Sequence, residues 1–315
     1  MKKIVSIILL GPTASGKSEI SIRLAKNLNG EILNADAMQI YKGLDIGTGK
    51  LEEVKWCGIE HHLISFLEPQ ETFSAGKYRI EALKIINKIK EKGKLPIIVG
   101  GTGFYIRTLL KGLAPIPDIP KKIRDEINNL ISIDGLDYFY RVLSFLDPDY
   151  SKKISCRDRQ RIERALEVIF YTGIKFSKYF EKNDFKEDSF ENIKIGLYLD
   201  KEELKKRISE RIGKMIEKGW LGEVKNLIDL KVPKDAQCFK SIGYREIMDV
   251  LDGKLSLQEA KKIIIKKTIS YAKRQMTWFK KEKDIYWIKA NDLELAFFSA
   301  LKYYKEKTKG EEYVN

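Results

Sequence analysis

Residues 7–20 read IILLGPTASGKSEI. An apolar run rich in β-branched residues stops at Gly11, four residues pass, and Gly16, Lys17 and Ser18 follow. The run Ile4–Leu10 predicts a parallel strand buried on both faces. Ser18–Leu28 has helical spacing, with Ile20, Ile22, Leu24, Ala25 and Leu28 apolar, and NLNG ends it. Strand, glycine-rich turn and helix in that order make a phosphate-binding loop. Its glycines let backbone N–H groups converge on phosphate oxygens. Lys17 adds a point charge, the Ser18 hydroxyl is placed to ligate Mg²⁺, and the helix dipole favours an anion. Taken alone, the loop reads as a nucleotide site for ATP.

The flanking sequence sets the loop in an α/β fold. Residues 31–36 (EILNAD) and 60–66 (EHHLISF) predict further strands. Residues 71–94 contain a helix with Ile80, Leu83, Ile86 and Ile89 as its apolar positions, and 95–103 (LPIIVGGTG) a fourth strand. Strand–helix alternation of this kind predicts a parallel sheet flanked by helices. Three prolines in 112–120 (GLAPIPDIP) mark a hinge, after which 121–179 shows only helical periodicity. A polar stretch, 181–192, leads back into a strand at 193–200, and 284–290 (DIYWIKA) predicts a late one. The expected organisation is a catalytic core from 1–115 and 193–315, with an all-helical module inserted at 116–192.

Of the 315 residues, 43% are hydrophobic and 33% charged, a globular composition with enough apolar material for a core. The net charge of +14 suits a polyanionic partner such as nucleic acid, and equally a lysine-coated surface. Cys57, Cys156 and Cys238 are isolated, without the C-x-x-C spacing of a zinc site or a disulfide framework. No stretch approaches the ~18–20 apolar residues of a membrane span. The expectation is a cytoplasmic monomer with no membrane partner.

An ATPase needs a carboxylate at a neighbouring strand end to hold Mg²⁺ and order water. The fourth strand ends in glycines instead. Only Asp36 and Asp200 close strands, and Asp200 reads as a sheet-end or helix-capping residue. Asp36 fits a general base or metal ligand, and equally a turn cap. The following NADAMQIYKGLDIGTGK (34–50) carries Gln39, able to read a base edge, and glycines at 43, 47 and 49 that mark tight turns or close approach. In 201–217 the positions Leu204, Ile208, Ile212, Met215 and Ile216 share a face, and Arg211 sits at its edge, where it either snorkels or reaches into a cleft. In 157–171, Ile162, Leu166, Ile169 and Phe170 cluster opposite Gln160, Arg161 and Arg164. The basic stretch 259–283 has Ile265, Ile269, Ala272, Met276 and Phe279 as its seam. His61 and His62 are adjacent, a poor metal pair; one packed and one hydrogen-bonded is the expectation.

Together, GPTASGKS (11–18), NADAMQIYKGLDIGTGK (34–50), GIEHHLI (58–64), PIIVGGTGFYI (96–106), RDRQRIERALEV (157–168), KSIGYREI (240–247) and AKRQMTWF (272–279) resemble the tRNA dimethylallyltransferases, also called tRNA isopentenyltransferases, of bacterial type. The resemblance implies transfer of a dimethylallyl group from dimethylallyl diphosphate to N6 of the adenosine 3′ to the anticodon. It makes Gly11, Thr13, Ala14, Ser15, Gly16, Lys17, Ser18 and Arg211 the holders of the donor diphosphate, with Mg²⁺ on Ser18. Asp36 becomes the base for the N6 proton, and Thr102 lies between diphosphate and acceptor. The anticodon stem-loop would be met by Asp36, Ala37, Met38, Gln39, Thr102, Arg124, Gln160, Arg161, Ile162, Glu163 and Arg164. It would also meet Lys240, Ser241, Ile242, Gly243, Tyr244 and Arg245, with Tyr244 suited to stacking or core packing.

The chain departs from some relatives in Ser18 where threonine is common, in Arg159 where a helix-opening proline occurs, and in ending at GEEYVN without zinc-finger cysteines. Three other readings stand beside this one. They are an adenylate dimethylallyltransferase acting on free nucleotides, a P-loop small-molecule kinase and a non-catalytic RNA-binding P-loop protein.

Overall fold

The run before Gly11 forms β1 (Ser6–Leu10), an interior strand of a six-stranded, wholly parallel sheet in the computed structural model, which describes residues 5–180 and 190–309. The chain continues through α1 (Lys17–Leu28), β2 (Gly30–Asn34), β3 (His61–His62), α2 (Ala75–Glu91), β4 (Leu95–Gly100) and α3 (Gly103–Lys111). A helical segment follows, with α4 (Lys121–Asp134), α5 (Leu136–Leu146), α6 (Pro148–Ser151) and α7 (Arg159–Thr172). The sheet then resumes with β5 (Asn192–Tyr198), followed by α8 (Lys201–Glu217), α9 (Trp220–Asp229), α10 (Tyr244–Leu251), α11 (Leu257–Phe279), β6 (Ile285–Lys289) and α12 (Leu293–Lys309). The strand order is β3-β2-β4-β1-β5-β6. Residues 1–110 with 189–315 make one compact unit, and 111–188 a second.

Every residue of β1 is buried, because helices cover both sheet faces. The two-residue period of a strand still sorts them. Ile8 and Leu10 pack with Tyr78, Ile212 and Phe279 on one face. Ile7 and Leu9 pack with Leu24 and Phe297 on the other. Each such side chain contributes about 2 kcal/mol by leaving water. Register is set by pairs such as Ile8↔Ile98 and Ile8↔Lys194, which bring the ends of β4 and β1 level while β5 runs two residues further.

Several expected elements shift, for local reasons. β2 stops at Asn34, whose side chain bonds both the amide and the carbonyl of Asp36 and turns the chain off the sheet. β3 shrinks to two residues because Leu63 (φ 56°) and Ser65 (φ 48°) adopt left-handed backbone. On α2 the buried stripe is Ala75, Tyr78, Ala82, Ile86 and Ile89, while Ile80 is exposed. On α11 it is Ala260, Ile264, Ala272, Gln275 and Phe279, so Ile265 and Met276 sit at its margin. The start of the first strand at Ile4, most of the polar stretch 181–192 and the GEEYVN end lie outside the described residues.

The second unit has its own core, including Ile127, Ile131, Leu143, Ile162, Leu166 and Phe176. α7 begins at Arg159 without a proline. The Asp158 side chain caps it, accepting from the Arg161 amide at 3.2 Å. Phe170, expected on the apolar face, is exposed.

Candidate active site

Parallel sheets bind ligands beyond the carboxyl ends of their strands, where neighbouring connections leave in opposite directions. Here β1 leads to β2 and its neighbour β4 leads to β5, so that point lies between β1 and β4. The phosphate loop follows β1, Thr102 follows β4 and Asp36 follows β2. Gly100 lets them meet, since a Cβ there would lie 2.1 Å from the Ala35 carbonyl oxygen. The Thr102 amide donates to that oxygen at 3.2 Å, and the Ala37 amide donates to Thr102 Oγ1 at 3.0 Å. Asp36 Oδ1 accepts from the Met38 amide at 2.9 Å. Asp36 therefore caps this turn and also stands at the same sheet edge as Thr102 and the phosphate loop.

The phosphate loop turns through Ala14 (φ 63°) and Gly16 (φ 87°) and delivers the amino end of α1 to the same edge. Lys17 donates to the carbonyls of Gly11 (2.9 Å) and Pro12 (2.7 Å). Burial pushes the Lys17 ammonium down to about 7, with Asp36 opposing and Arg211 adding to the shift. Ser15 is buried, its amide on the Pro12 carbonyl. Ser18 is exposed.

Arg211 does reach inward from the edge of α8. Its guanidinium donates to Thr13 Oγ1 at 3.3 Å and to the Thr48 carbonyl at 3.2 Å. Burial lowers its pKa, and Asp36 opposes the shift. Gly49 makes room for the guanidinium, since a Cβ there would lie 1.9 Å from Arg211 Nη2, and Gly47 makes room for Trp220, whose Nε1 a Cβ would meet at 2.1 Å. Glu223 of α9 holds that loop, accepting the amides of Asp45 (2.7 Å), Ile46 (2.6 Å) and Gly47 (3.0 Å) and the Tyr244 hydroxyl (2.6 Å).

These groups surround a cavity of about 400 Å³. Thr13, Asp36, Thr102 and Arg211 supply its polar side, and Ile208, Ile212, Met215, Trp220 and Ile264 an apolar one. A larger cavity of about 560 Å³ shares Arg211 and Met215 but is lined by Lys50, Glu52, Trp56 and Lys214, with no residue of the phosphate loop. The smaller cavity joins anion-binding, base and apolar surfaces, and is the candidate site.

Ala37, Met38, Lys240, Ser241 and Ile242 also line it. Gln39 does not: its amide donates to the Thr48 carbonyl at 3.3 Å, and it lines a separate void of about 30 Å³ with Ser18 and Asn34. Arg245 is exposed. Gly243 and Tyr244 are buried, and a Cβ on Gly243 would lie 2.0 Å from the Trp220 ring. Tyr244 packs rather than stacks on a ligand; its hydroxyl supports Glu223.

In the second unit, Ile162 is a core side chain, a correction to its expected place on an RNA-facing surface. Gln160 is exposed. The charged candidates are each paired with an oppositely charged neighbour. Glu163 bonds Arg159 (2.5 Å), Arg161 bonds Asp158 (2.5 Å), Arg164 bonds Glu167 (3.0 Å) and Arg124 bonds Asp118 (2.9 Å).

Both histidines are hydrogen-bonded. His61 Nδ1 meets the Ile59 carbonyl oxygen and its ring stacks on Trp56, while His62 Nε2 lies 2.8 Å from Glu31. Glu31, Glu60 and His62 are close enough together to hold a cation, but Lys92 and Lys94 already occupy the Glu31 carboxylate. Asp200 is the N-cap residue of α8 without a side-chain cap, and its carboxylate instead meets Lys289 and Asn291.

Three site residues escaped the sequence reading. Glu223 lies in a helix far from the loop it holds. Gln275 of α11 accepts from the Thr13 amide and donates to the Gly101 carbonyl. Tyr271, one turn earlier, lines the cavity, and burial raises its phenol pKa. Gln275 did fall inside the AKRQMTWF block, but on that helix the basic residues and large aliphatics drew attention instead.

A family model described as IPP transferase matches residues 39–282. The chain belongs to the IPP transferase family. It is similar to the tRNA dimethylallyltransferase of Geobacter sulfurreducens, 40% identical over 282 residues that span 90% of this chain and 91% of that one. Among solved structures, the full-length tRNA isopentenylpyrophosphate transferase of Bacillus halodurans matches with a TM-score of 0.72 and 32% identity, over 99% of this chain and 98% of that one. A eukaryotic dimethylallyltransferase described as acting on tRNA matches with a TM-score of 0.81 and 31% identity, over 93% and 75%. The P-loop-like parallel sheet flanked by helices matches the fold of those structures. Among the described residues no helix is long and apolar enough to cross a membrane.

Proposed function

We propose that this family member transfers a dimethylallyl group from dimethylallyl diphosphate to N6 of the adenosine 3′ to a tRNA anticodon, releasing diphosphate. The observation that carries this is the cavity in which Asp36, Thr102, Arg211 and Thr13 of the phosphate loop stand across from an apolar wall. In the reaction the N6–C1 bond forms, the C1–O bond to diphosphate breaks, and the N6 proton passes to Asp36. Asp36 Oδ1 is engaged by the Met38 amide, which leaves Oδ2 for the amine. Lys17, Arg211 and the loop amides stabilise the charge that develops on the departing diphosphate. The apolar wall takes the five-carbon chain and keeps water from the electrophilic carbon.

One hydroxyl, Ser18, with oxygens of the donor itself, suits Mg²⁺, which characteristically takes few protein ligands and keeps waters and phosphates. When bound, Mg²⁺ neutralises charge on the leaving group. The RNA would be gripped by Lys240 and Arg245 beside the cavity and by Arg124, Gln160, Arg161 and Arg164 on the helical unit. Phosphate contacts of that kind give affinity rather than selection, and the target base must leave its stack to reach Asp36.

The test is incubation of the protein with dimethylallyl diphosphate, Mg²⁺ and unmodified tRNA, followed by nucleoside mass spectrometry. An isopentenyl group on adenosine is expected. Modification of AMP with none of tRNA would move the reading to free nucleotides. Phosphoryl transfer from ATP to a small molecule would replace it with a kinase.

A further inference from the structure

We propose that Gln275 is a positioning residue for the diphosphate loop, setting the direction of the peptide that aims Lys17; this rests on the loop's reading as a diphosphate holder. Gln275 lies on the buried face of α11 and is 6% exposed. Its Oε1 accepts from the Thr13 amide at 2.9 Å, and its Nε2 donates to the Gly101 carbonyl at 2.8 Å. The carboxamide therefore ties the turn after β1 to the turn after β4. A Cβ on residue 101 would lie 2.3 Å from Nε2, so glycine is what admits the contact. Tyr271, on the preceding turn of α11, lines the same cavity as Thr13 and Thr102.

The consequence runs through one planar peptide. The Thr13 N–H and the Pro12 C=O belong to the same trans unit, so fixing one fixes the other. The Pro12 carbonyl receives Lys17 Nζ at 2.7 Å and the Ser15 amide at 3.3 Å. Gln275 thus holds one end of the peptide on which Lys17 rests at the other. Arg211 holds the Thr13 hydroxyl, so the residue is fixed from two helices. It also means the Thr13 amide is not available to a ligand, and the loop's anion-binding amides begin after it. Only a neutral carboxamide serves here. A carboxylate would accept from Thr13 but could not donate to Gly101, and an aliphatic side chain would leave both backbone groups buried and unpaired.

The experiment measures binding of inorganic diphosphate by calorimetry for the full-length wild type, Gln275→Leu and Gln275→Glu, with tRNA affinity and thermal midpoint in parallel. Gln275→Leu is expected to weaken diphosphate about tenfold or more and raise the donor KM by the same factor, with tRNA affinity unchanged within about twofold. Gln275→Glu is expected to regain diphosphate affinity relative to wild type as pH falls. Its protonated carboxyl can then donate to Gly101 while still accepting from Thr13. Diphosphate binding by Gln275→Leu at wild-type strength, or an equal loss of diphosphate and tRNA binding, overturns the proposal. If Gln275→Leu does not fold, a Gln275→Glu to wild-type affinity ratio that is flat with pH overturns it. Because binding is read rather than turnover, the result stands apart from the functional reading. A wild type that binds diphosphate but leaves tRNA unmodified would refute that reading and still report on Gln275.

Discussion

The sheet-edge cavity and the arginine face of α7 both present positive charge, and they hold it in different ways. Behind the cavity, Lys17 rests on two carbonyls of the phosphate loop, and at the cavity Arg211 bridges Thr13 and Thr48 from a helix remote in sequence. Both are desolvated, and both have lowered pKa values. On α7, Arg161 pairs with Asp158 at a position open to solvent, while the half-exposed Arg164 pairs with the buried Glu167, each three residues away. Charge fixed in a dry site acts strongly on one spot, because nothing has to reorganise when the reaction begins. Charge in exposed pairs worth ~0–1 kcal/mol is easily handed to another anion. The first arrangement suits a leaving group of set geometry, and the second a polyanion met at many points.

The largest effect should come from the cavity's only carboxylate. Asp36→Asn keeps the side-chain oxygen that accepts from the Met38 amide but removes the proton acceptor. Single-turnover prenylation of tRNA should fall by roughly 10²–10⁴-fold, with diphosphate and tRNA affinities little changed. A variant that keeps the wild-type rate would remove Asp36 as base and erase the chemical side of the contrast.

Lys17 sharpens the contrast through pH. Its folded pKa of about 7 lies below the ordinary 10.5, so between those values the unfolded chain binds more protons than the folded one. Stability of the unliganded protein should therefore rise with pH across that window. Diphosphate binding needs the charged ammonium, so its affinity should fall as pH climbs above about 7, by up to about tenfold per unit. Calorimetry and thermal melts of wild type against Lys17→Ala isolate both trends, and the variant should flatten each. No paired surface arginine of α7 should show either. Parallel slopes in wild type and variant would place Lys17 in solvent and collapse the distinction.

Local chemistry made the cavity half legible. The phosphate loop, the strand-end positions of Asp36 and Thr102 and the crowding glycines 47 and 49 each follow from residue types at short spacing. What was not legible depends on partners distant in the chain. Glu223 meets a loop 176 to 178 residues away, and Gln275 meets Thr13 across 262. Gln275 was further hidden because the largest aliphatic residues suggested a seam one residue away from the buried stripe. The same bias toward large aliphatics placed Ile80 inside and passed over Tyr78 and Ala82. β3 was overread because left-handed turns at Leu63 and Ser65 carry no glycine to announce them.

The smallest effect should be on α7. Arg164 is bonded to Glu167, and Arg124 also approaches that carboxylate at 4.0 Å. In Arg164→Ala, the buried Glu167 keeps only Arg124 at 4.0 Å, so the fold should lose about 1–3 kcal/mol while the reaction changes least. If Arg164 exchanges Glu167 for a phosphate when RNA binds, the variant should weaken tRNA binding only a few-fold and lower the salt dependence by about one counterion. The turnover of bound tRNA should not move, because the lost charge acts on the backbone of the RNA and not on the reacting atoms. A filter-binding series across salt, with single-turnover rates at saturating protein, separates the two quantities. An unchanged salt slope would make Arg164 a structural partner of Glu167 alone. A large loss of turnover at saturation would mean that the helical face positions the target base as well as holding the RNA.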